Sequence, residues 1–230
     1  MAVYKDDDPI VDAESFQGYS FNSEDKTRME YQYYLLSMTG QAVGMTLRDS
    51  SGSLNAVLQD DVSFPEFYHD IANYMGLQLT QGQFFVDNAH YEGADQFMCV
   101  VDGSAMIRLV PHINRQEMYV GESYSYFHPN KQIDKEINLH PNESPVNLFK
   151  PDFDTYPNVK FVNKVYKEFL SPGDCMFIPA FYFYQVAGEA ESQPMKGKYK
   201  PSAIIASLYY ESHSTLLKAF YTAIEEHILH

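Results

Sequence analysis

The sequence predicts one mainly β domain of the jelly-roll or barrel type, with a helix at its C-terminal end. The prediction rests on short apolar runs of strand length, on turn residues between them, and on one segment with sustained helical periodicity. A chain of 230 residues, 45% of them apolar, can bury a substantial core. Because strands and helices do not alternate, packed antiparallel sheets are favoured over a βα fold.

The predicted strands are apolar or aromatic runs bounded by Gly, Pro, Asn and Asp. The strongest local signal is Asp102-Gly103, a dipeptide typical of a tight hairpin between two such runs. The predicted strands are 29–38, 83–86, 96–101, 106–110, 176–179, 181–186 and 203–210.

Two segments have helical patterns. Residues 64–75 predict a short helix that ends at Gly76. Residues 214–229 place apolar side chains at helical spacing, with Ser212 or Ser214 as the N-cap. The predicted organisation is therefore an acidic N-terminal arm at 1–27, a barrel domain at 28–211 with a long insertion at 112–165, and a C-terminal helix at 212–230.

The charge balance bears on the class of partner. The chain has 16 basic and 31 acidic residues, so its formal net charge is −15. Such a surface repels phosphate backbones, so we expect no nucleic-acid partner and attribute the acidity mainly to solubility. No run reaches the roughly 18 apolar residues that a membrane-spanning helix needs, so we expect no membrane span.

Two cysteines, Cys99 and Cys175, lie within apolar strand-like runs. This placement is typical of buried, inert thiols and predicts no disulfide framework. It indicates an intracellular, reducing compartment. The acidic segment Met1–Glu14 lacks the apolar core of a secretory signal, which favours the cytoplasm, while mitochondrial import by an atypical signal stays open.

Two motifs indicate possible chemistry. In His90-Tyr91-Glu92 an imidazole and a carboxylate are spaced two apart, which on a strand places both on one face. Some eighty residues later, Ser171–Pro179 combines a Pro-Gly-Asp turn with a short apolar strand. Two ligands on one strand and a third from a later strand can form an open-sided iron site.

Together these segments resemble the JmjC/cupin-like family of Fe(II)- and 2-oxoglutarate-dependent protein hydroxylases, over roughly residues 31–210. The matching elements are His90-Tyr91-Glu92, Asp95-Gln96-Phe97, Gly103, Arg108-Leu-Val-Pro111, Ser144-Pro-Val146, Pro172-Gly-Asp174 and Phe177-Ile-Pro179. The resemblance implies a double-stranded β-helix, the jelly-roll or cupin barrel, with flanking helices and a C-terminal helix.

The resemblance assigns the metal position to His90, Glu92 and Tyr184. His90 matches the first ligand, and Glu92 keeps a carboxylate where the family usually has Asp. Tyr184 replaces the second histidine. Because a neutral phenol with a pKa near 10 is a poor ligand for Fe(II) at neutral pH, we expect this degenerate site to hold no metal.

The cosubstrate position departs from the family in the same direction. The basic residue that holds 2-oxoglutarate in many relatives corresponds to Ala105, and Arg108 should face the opposite side of the strand. Asp87 would repel a dianion, and Ser207 lies near a position where relatives often have Asn. These departures predict loss of the ancestral reaction, with no catalytic residue assigned.

Three hypotheses follow. The first is a non-catalytic domain without cofactor that binds proteins as a structural or accessory subunit of a larger assembly, mainly through 112–165 and the C-terminal helix. The second is an active hydroxylase or other metallocupin that uses Fe(II) and 2-oxoglutarate, with Tyr184 or a histidine of the insertion as third ligand. The third is a small-ligand barrel whose cavity is lined by Tyr184, Phe183 and Tyr91.

Overall fold

The fold was analysed in a computed structural model of the 230-residue chain. The structure describes residues 10–16, 21–30, 45–48, 73–121, 124–127, 134–137, 142–190, 202–211 and 220. In this part of the chain no helix is long and apolar enough to cross a membrane.

The described residues are mainly strands. In chain order the strands are β1 (Ile10–Phe16), β2 (Phe21–Glu30), β3 (Met45–Arg48), β4 (Asn73–Gly82), β5 (Phe84–Val86), β6 (Ala89–Tyr91), β7 (Asp95–Asp102), β8 (Ser104–Val110), β9 (Tyr124–Phe127), β10 (Asp134–Ile137), β11 (Glu143–Ser144), β12 (Tyr166–Leu170), β13 (Cys175–Ile178), β14 (Phe183–Glu189) and β15 (Ala203–Glu211). Two 3₁₀ turns, His112–Asn114 and Pro157–Phe161, lie in the insertion.

The strands form two large antiparallel sheets, as predicted for a jelly roll. One sheet has the order β13-β7-β15-β4-β3-β1-β2. The other has the order β11-β6-β14-β8-β12, and β5 also pairs with β14. Strands β9 and β10 form a separate hairpin. Strand β12 belongs to one sheet and β13 to the other, so the Pro-Gly-Asp turn between them is a corner of the barrel.

The main core lies between the two sheets. It combines Met98 and Ile205 from the first sheet with Ala105, Ile107 and Leu109 from the second. The three residues of β8 are spaced two apart, so they share the inner face. The inner face of β8 therefore lines the space between the two sheets.

The insertion covers the outer face of the second sheet. Its residues Met118, Val146 and Leu148 are buried with Val110 and Phe183 in a second apolar cluster, the outer cluster. In this region Ser144 Oγ donates a hydrogen bond to the carbonyl of Met118. The excursion predicted from its turn residues is thus an integral layer of the fold where the structure describes it.

The predicted hairpin at Asp102-Gly103 is confirmed. Gly103 has a φ of +75°, and its amide donates to Asp102 Oδ1 at 2.9 Å. A Cβ at Gly103 would lie 2.7 Å from the carbonyl oxygen of Glu189, so both conformation and space require glycine here.

The predicted end of the first helix is wrong. Residues Asn73–Met75 are not the end of a helix but the start of β4, and Gly76 pairs with Tyr209 inside that strand. The register shifts after Tyr209, so the glycine is part of a bulge and not a helix stop. The described residues that fall in the predicted 1–27 arm are strand: β1 and β2 form a hairpin at the edge of the first sheet, and the 27/28 boundary falls inside β2.

Other predicted elements lie partly or wholly outside the described residues. These are 31–38 of the first predicted strand, 64–72 of the first helix, and the C-terminal helix apart from Phe220, which is helical. Strand β14 begins at Phe183, two residues later than predicted, because Phe181 has a φ of +66°. Strand β12 was not predicted.

The prediction for the cysteines is also wrong. Cys99 in β7 and Cys175 in β13 are directly opposite each other and form a disulfide. Their Cα atoms are 4.0 Å apart, and the side chains lie on the outer face, with Cys175 exposed and Cys99 half-buried. Directly opposed strand residues bring their Cβ atoms together, and neither sequence run revealed that register. The inference of a reducing compartment from two free thiols loses that support.

Candidate functional site

His90 is held in one orientation by its own strand. Its Nδ1 lies 2.7 Å from the carbonyl oxygen of Asn88. A carbonyl only accepts, so Nδ1 carries the proton, and the neutral ring has its lone pair on Nε2. This Nε2 lies 3.9 Å from Glu92 Oε1. The structure therefore brings the predicted His and Glu together just where β6 ends.

Tyr184 is the third member of the group. It pairs directly with His90 across β14 and β6, so both side chains are on the inner face. Their ring centroids are 4.4 Å apart, and Tyr184 is almost fully buried. The turn before β14 is tied to the same place, because the amide of Phe181 donates to the carbonyl of Glu92 at 2.7 Å. An aromatic ring thus fills the space beside the imidazole.

The donor set is short of what a metal needs. Within the described ranges, no group of three His, Cys, Asp or Glu side chains could hold an ion. His112, one histidine of the insertion, lies elsewhere: its Nδ1 is 3.1 Å from the carbonyl of Phe181, and its ring stacks on Phe183 on the outer face. Among the described residues, His90 and Glu92 remain as two candidate ligands, with the phenol of Tyr184 beside them.

Ala105 and Arg108 face opposite sides of β8. Ala105 is fully buried in the inner core. The guanidinium of Arg108 lies on the outer side, 5.0 Å from the ring centroid of Phe149, and its Nη1 donates to the carbonyl of Ile107 at 3.2 Å. The arginine is thus engaged away from the barrel interior.

A small cavity, the inner pocket, lies between the sheets beside Tyr184. Its volume is about 20 Å³, roughly the space of one ordered water. Among the residues that the structure describes, no lysine or arginine lines the pocket, and Asp87 is the one charged side chain there. Its polar lining residues are Gln78, Thr80, Asp87, Gln96, Tyr184, Ser207 and Tyr209.

The predicted residues Asp87 and Ser207 therefore do meet Tyr184 in one place. Asp87 Oδ1 accepts the amide of Asn88 at 3.1 Å, and Ser207 is buried in the middle of β15. Phe183 and Tyr91, which were predicted to line a ligand cavity, instead pack together in the outer cluster under the insertion. That prediction is wrong because Phe183 is adjacent to Tyr184 in a strand and must face the other way.

Sequence reasoning missed Gln96 as a site residue. It is fully buried, and it lines the inner pocket. The alternation of β7, in which Gln96, Met98 and Val100 share the inner face, was the available signal. Gln185, also missed, is buried and joins two segments: its Nε2 donates to the carbonyl of Asp87 at 2.8 Å, and its Oε1 accepts the amide of Leu148 at 2.6 Å.

The two paired sheets agree with a comparison against protein families. The family described as "Cupin-like domain" matches residues 13–216. The chain belongs to the cupin-like domain family. The match begins inside β1 and covers the remaining strands of both sheets.

Two curated proteins are similar in sequence to this cupin-like chain. One is JmjC domain-containing protein F of Dictyostelium discoideum, 30% identical over 98 residues, which are 42% of this chain and 21% of that protein. The other is tRNA wybutosine-synthesizing protein 5 of Mus musculus, which is 27% identical over 169 residues. These residues are 74% of this chain and 45% of that protein. The chain thus spans less than half the length of either relative.

Solved structures give a more distant likeness. The X-ray structure of Escherichia coli ycfD matches with a TM-score of 0.46 and 12% identity, covering 95% of this chain and 46% of that chain. The structure of the E. coli ribosomal oxygenase YcfD in complex with cobalt and 2-oxoglutarate matches with a TM-score of 0.43 and 12% identity. This match covers 95% of this chain and 45% of that chain.

Proposed function

We propose that this chain is a non-catalytic cupin-like domain that binds proteins, as a structural or accessory subunit of a larger assembly. The observation that carries the proposal is Tyr184, which occupies the inner face beside His90 at the position expected for a third ligand. The proposal is supported separately by the metal position, the cosubstrate position and the exposed surface.

The metal position offers too few good ligands for Fe(II). His90 Nε2 lies 3.9 Å from Glu92 Oε1 and can act as a ligand, but the neighbouring phenol must lose its proton to become a strong one. Its reference pKa near 10 makes that costly at neutral pH. A site with two strong ligands instead of three would bind iron weakly and would not fix its geometry.

The cosubstrate position does not fit a dicarboxylate. In the part of the chain that the structure describes, no cation reaches the inner pocket, because Ala105 has no charge and Arg108 faces the outer side. Asp87 adds a negative charge to the wall. Burial of an unpaired dianion beside a carboxylate would cost several kcal/mol or more. The volume of about 20 Å³ is also much smaller than a typical ligand site.

The insertion offers surface of the kind that partners cover. Ile113 is 83% exposed and Phe161 is 70% exposed, although both lie in a segment that is otherwise anchored to the core. A wide cleft of about 560 Å³ opens beside the exposed Phe153. These exposed apolar side chains are the part of the surface that we propose a partner covers.

The catalytic part of the proposal is tested with the purified 230-residue chain. We expect substoichiometric iron, and no succinate released from 2-oxoglutarate. Tyr184→His should raise Fe(II) or Co(II) affinity on the order of tenfold or more, since it supplies a third strong ligand. The matched control Tyr184→Phe, which removes only the hydroxyl, should leave metal affinity unchanged. Stoichiometric iron with succinate release by the wild type would contradict the proposal.

The protein-binding part needs a separate experiment. We expect the tagged chain to co-purify with a stoichiometric partner identified by mass spectrometry. Phe161→Asp should abolish that association without changing the thermal unfolding of the chain, because the side chain is exposed and contributes little to the core. The neighbouring Val159 is buried in the outer cluster, so Val159→Asp would destabilise the fold and could not serve as a control. Unchanged co-purification by the Phe161→Asp chain would exclude this surface.

A second candidate function is a metallocupin, active as an oxygenase with Fe(II) and 2-oxoglutarate. One observation favours it: the hydrogen bond from His90 Nδ1 to Asn88 orients Nε2 toward Glu92, as in metal-ligating histidines. Tyr184 as a phenolate would then be the third ligand. A tyrosinate-to-metal absorption band on adding Fe(III), lost in Tyr184→Phe, would support this candidate.

A further inference from the structure

The two sulfur atoms of the Cys99–Cys175 disulfide differ in their access to solvent. Cys175 is exposed on the outer face of the first sheet. Cys99 is half-buried and packs against an apolar cluster that contains Leu77 and Leu208. A disulfide is cleaved when a thiolate attacks one of its sulfurs, and access decides which sulfur is attacked. The exposed sulfur of Cys175 is therefore the one that a reductant reaches in the folded chain.

Strand β13 depends on this bond more than the rest of the sheet does. The strand has four residues and lies at the end of the first sheet, where it pairs with β7 alone among the described strands. Ile178 is its one fully buried side chain, and Phe177 is 42% exposed although its ring contacts Phe97. Elements with few buried apolar contacts open without global unfolding. Loss of the cross-link should therefore act first on β13.

The ends of β13 are held by bonds that the disulfide does not supply. On one side the amide of Gly173 donates to the carbonyl of Val100 at 2.8 Å, and the amide of Val100 donates to the carbonyl of Asp174 at 3.0 Å. On the other side the amide of Ala180 donates to Asp95 Oδ1 at 2.8 Å. Opening is thus confined to the strand between these anchors, and the remaining strands keep their pairing.

β13 also covers one side of the space between the two sheets. Its inner side chains are Met176, which is directly opposite Met98, and Ile178. Ile178 is directly opposite Gln96. Both of these β7 residues line the inner pocket beside Tyr184. Separation of β13 from β7 would therefore open a path from solvent to the interior of the barrel.

We propose that the Cys99–Cys175 bond is a redox switch that locks β13 onto the barrel when oxidised and releases it when a thiol reductant opens the bond. A thiolate attacks Sγ of Cys175, forms a mixed disulfide there and displaces the Cys99 thiolate, which takes up a proton. The second thiolate of a dithiol then attacks the reductant's own sulfur in the mixed disulfide and displaces the Cys175 thiolate, which is also protonated. The protein gains two electrons and two protons, and the dithiol becomes a disulfide. The switch does not depend on the proposed protein-binding function, so either one can fail alone.

The first test is reduction of the oxidised 230-residue chain without denaturant. After brief exposure to glutathione and an acid quench, the mixed disulfide is mapped by mass spectrometry. We expect the adduct on Cys175 in about tenfold excess or more over Cys99, because the exposed sulfur is the accessible one. Dithiothreitol should then reduce the bond completely, while the circular dichroism spectrum stays that of a folded chain.

Hydrogen exchange measures the release of β13. In the reduced chain the amides of β13 should exchange about tenfold faster or more than in the oxidised chain, because local opening exposes them. The amides of β4, which β7 and β15 separate from β13, should keep their rates. The double variant Cys99→Ala, Cys175→Ser is the matched control. It should show fast exchange in β13 with and without reductant, because it never forms the cross-link.

Several outcomes would overturn the proposal. These are two free thiols in the untreated chain, an adduct mainly on Cys99, and unchanged exchange in β13 after reduction. Reduction that occurs only together with exchange of the β4 amides would overturn it as well, because the bond would then open through global unfolding. The comparison of oxidised and reduced wild type is decisive even if the double variant does not fold.

Discussion

The Cys99–Cys175 disulfide gives the largest stability effect that a single substitution should produce away from the core. The two residues are 76 positions apart, so the bond closes a long loop of the unfolded chain. Chain-entropy reasoning for a loop of that length gives about 4.5 kcal/mol of stabilisation at room temperature. For a domain of this size the loss corresponds to about 9–18 °C in unfolding temperature. This is an upper value, because residual structure in the unfolded chain reduces the entropic gain.

The perturbation is Cys175→Ser. Cys175 is exposed, so serine at this position adds no buried polar group. Urea and thermal unfolding should be measured for the wild type, for Cys175→Ser, and for the wild type in a reducing agent. We expect the last two to coincide and both to fall well below the oxidised wild type, because each lacks the same cross-link.

Thiol titration supplies the independent control. Ellman's reagent should find no free thiol in the unreduced wild type under denaturing conditions. Two titratable thiols together with unfolding curves that differ by less than about 1 kcal/mol would refute the disulfide. They would instead restore the sequence expectation of two free cysteines.

Three further predictions concern the packing and electrostatics of the barrel. Gly188→Ala places a methyl group against the buried ring of Phe85 and should destabilise the fold by about 1–3 kcal/mol in urea unfolding, whereas Gly76→Ala, which meets open space, should have little effect. Burial raises the pKa of Tyr210 above its usual value of 10.0. The stability that this tyrosine contributes is therefore complete below about pH 10 and is lost as pH rises through the raised pKa. Tyr210→Phe should flatten this alkaline decline in the free energy of unfolding. Gln185→Leu should lower the free energy of unfolding by about 1–3 kcal/mol in urea unfolding, because it leaves the buried backbone amide of Leu148 unpaired.

Features that depend on local sequence signals, such as turns, could be predicted from the sequence. Features that depend on pairing between distant strands were predicted less accurately. The hairpin at Gly103 was predictable, because Asp-Gly between two apolar runs is typical of a tight turn in which the glycine has a positive φ. The segment predicted as a helix ends in Asn73–Met75, and there the pairing of Asn73 and Tyr74 with β15 outweighs the helical apolar pattern. The proximity of Cys175 to its partner likewise depends on a register set by residues far away in sequence.

The same division applies to the candidate site. The juxtaposition of Tyr184 and His90 could be predicted by resemblance, because the order of motifs along the chain implied their pairing. The burial of Gln96 without a hydrogen-bond partner could not be predicted. Strand alternation places it on the inner face, but whether neighbours satisfy its amide depends on distances of less than an ångström.

Gln185 has a consequence for the order of folding. Its two hydrogen bonds reach partners 98 and 37 residues away along the chain, at Asp87 and Leu148. The bond to Asp87 forms only once β14 has paired, and the bond to Leu148 also requires the 142–149 segment to have come back onto the sheet. Closing such loops costs entropy before any contact compensates it. In kinetic experiments Gln185→Leu should therefore speed unfolding while leaving the folding rate nearly unchanged, which would identify the joining of the insertion to the barrel as a step after the transition state.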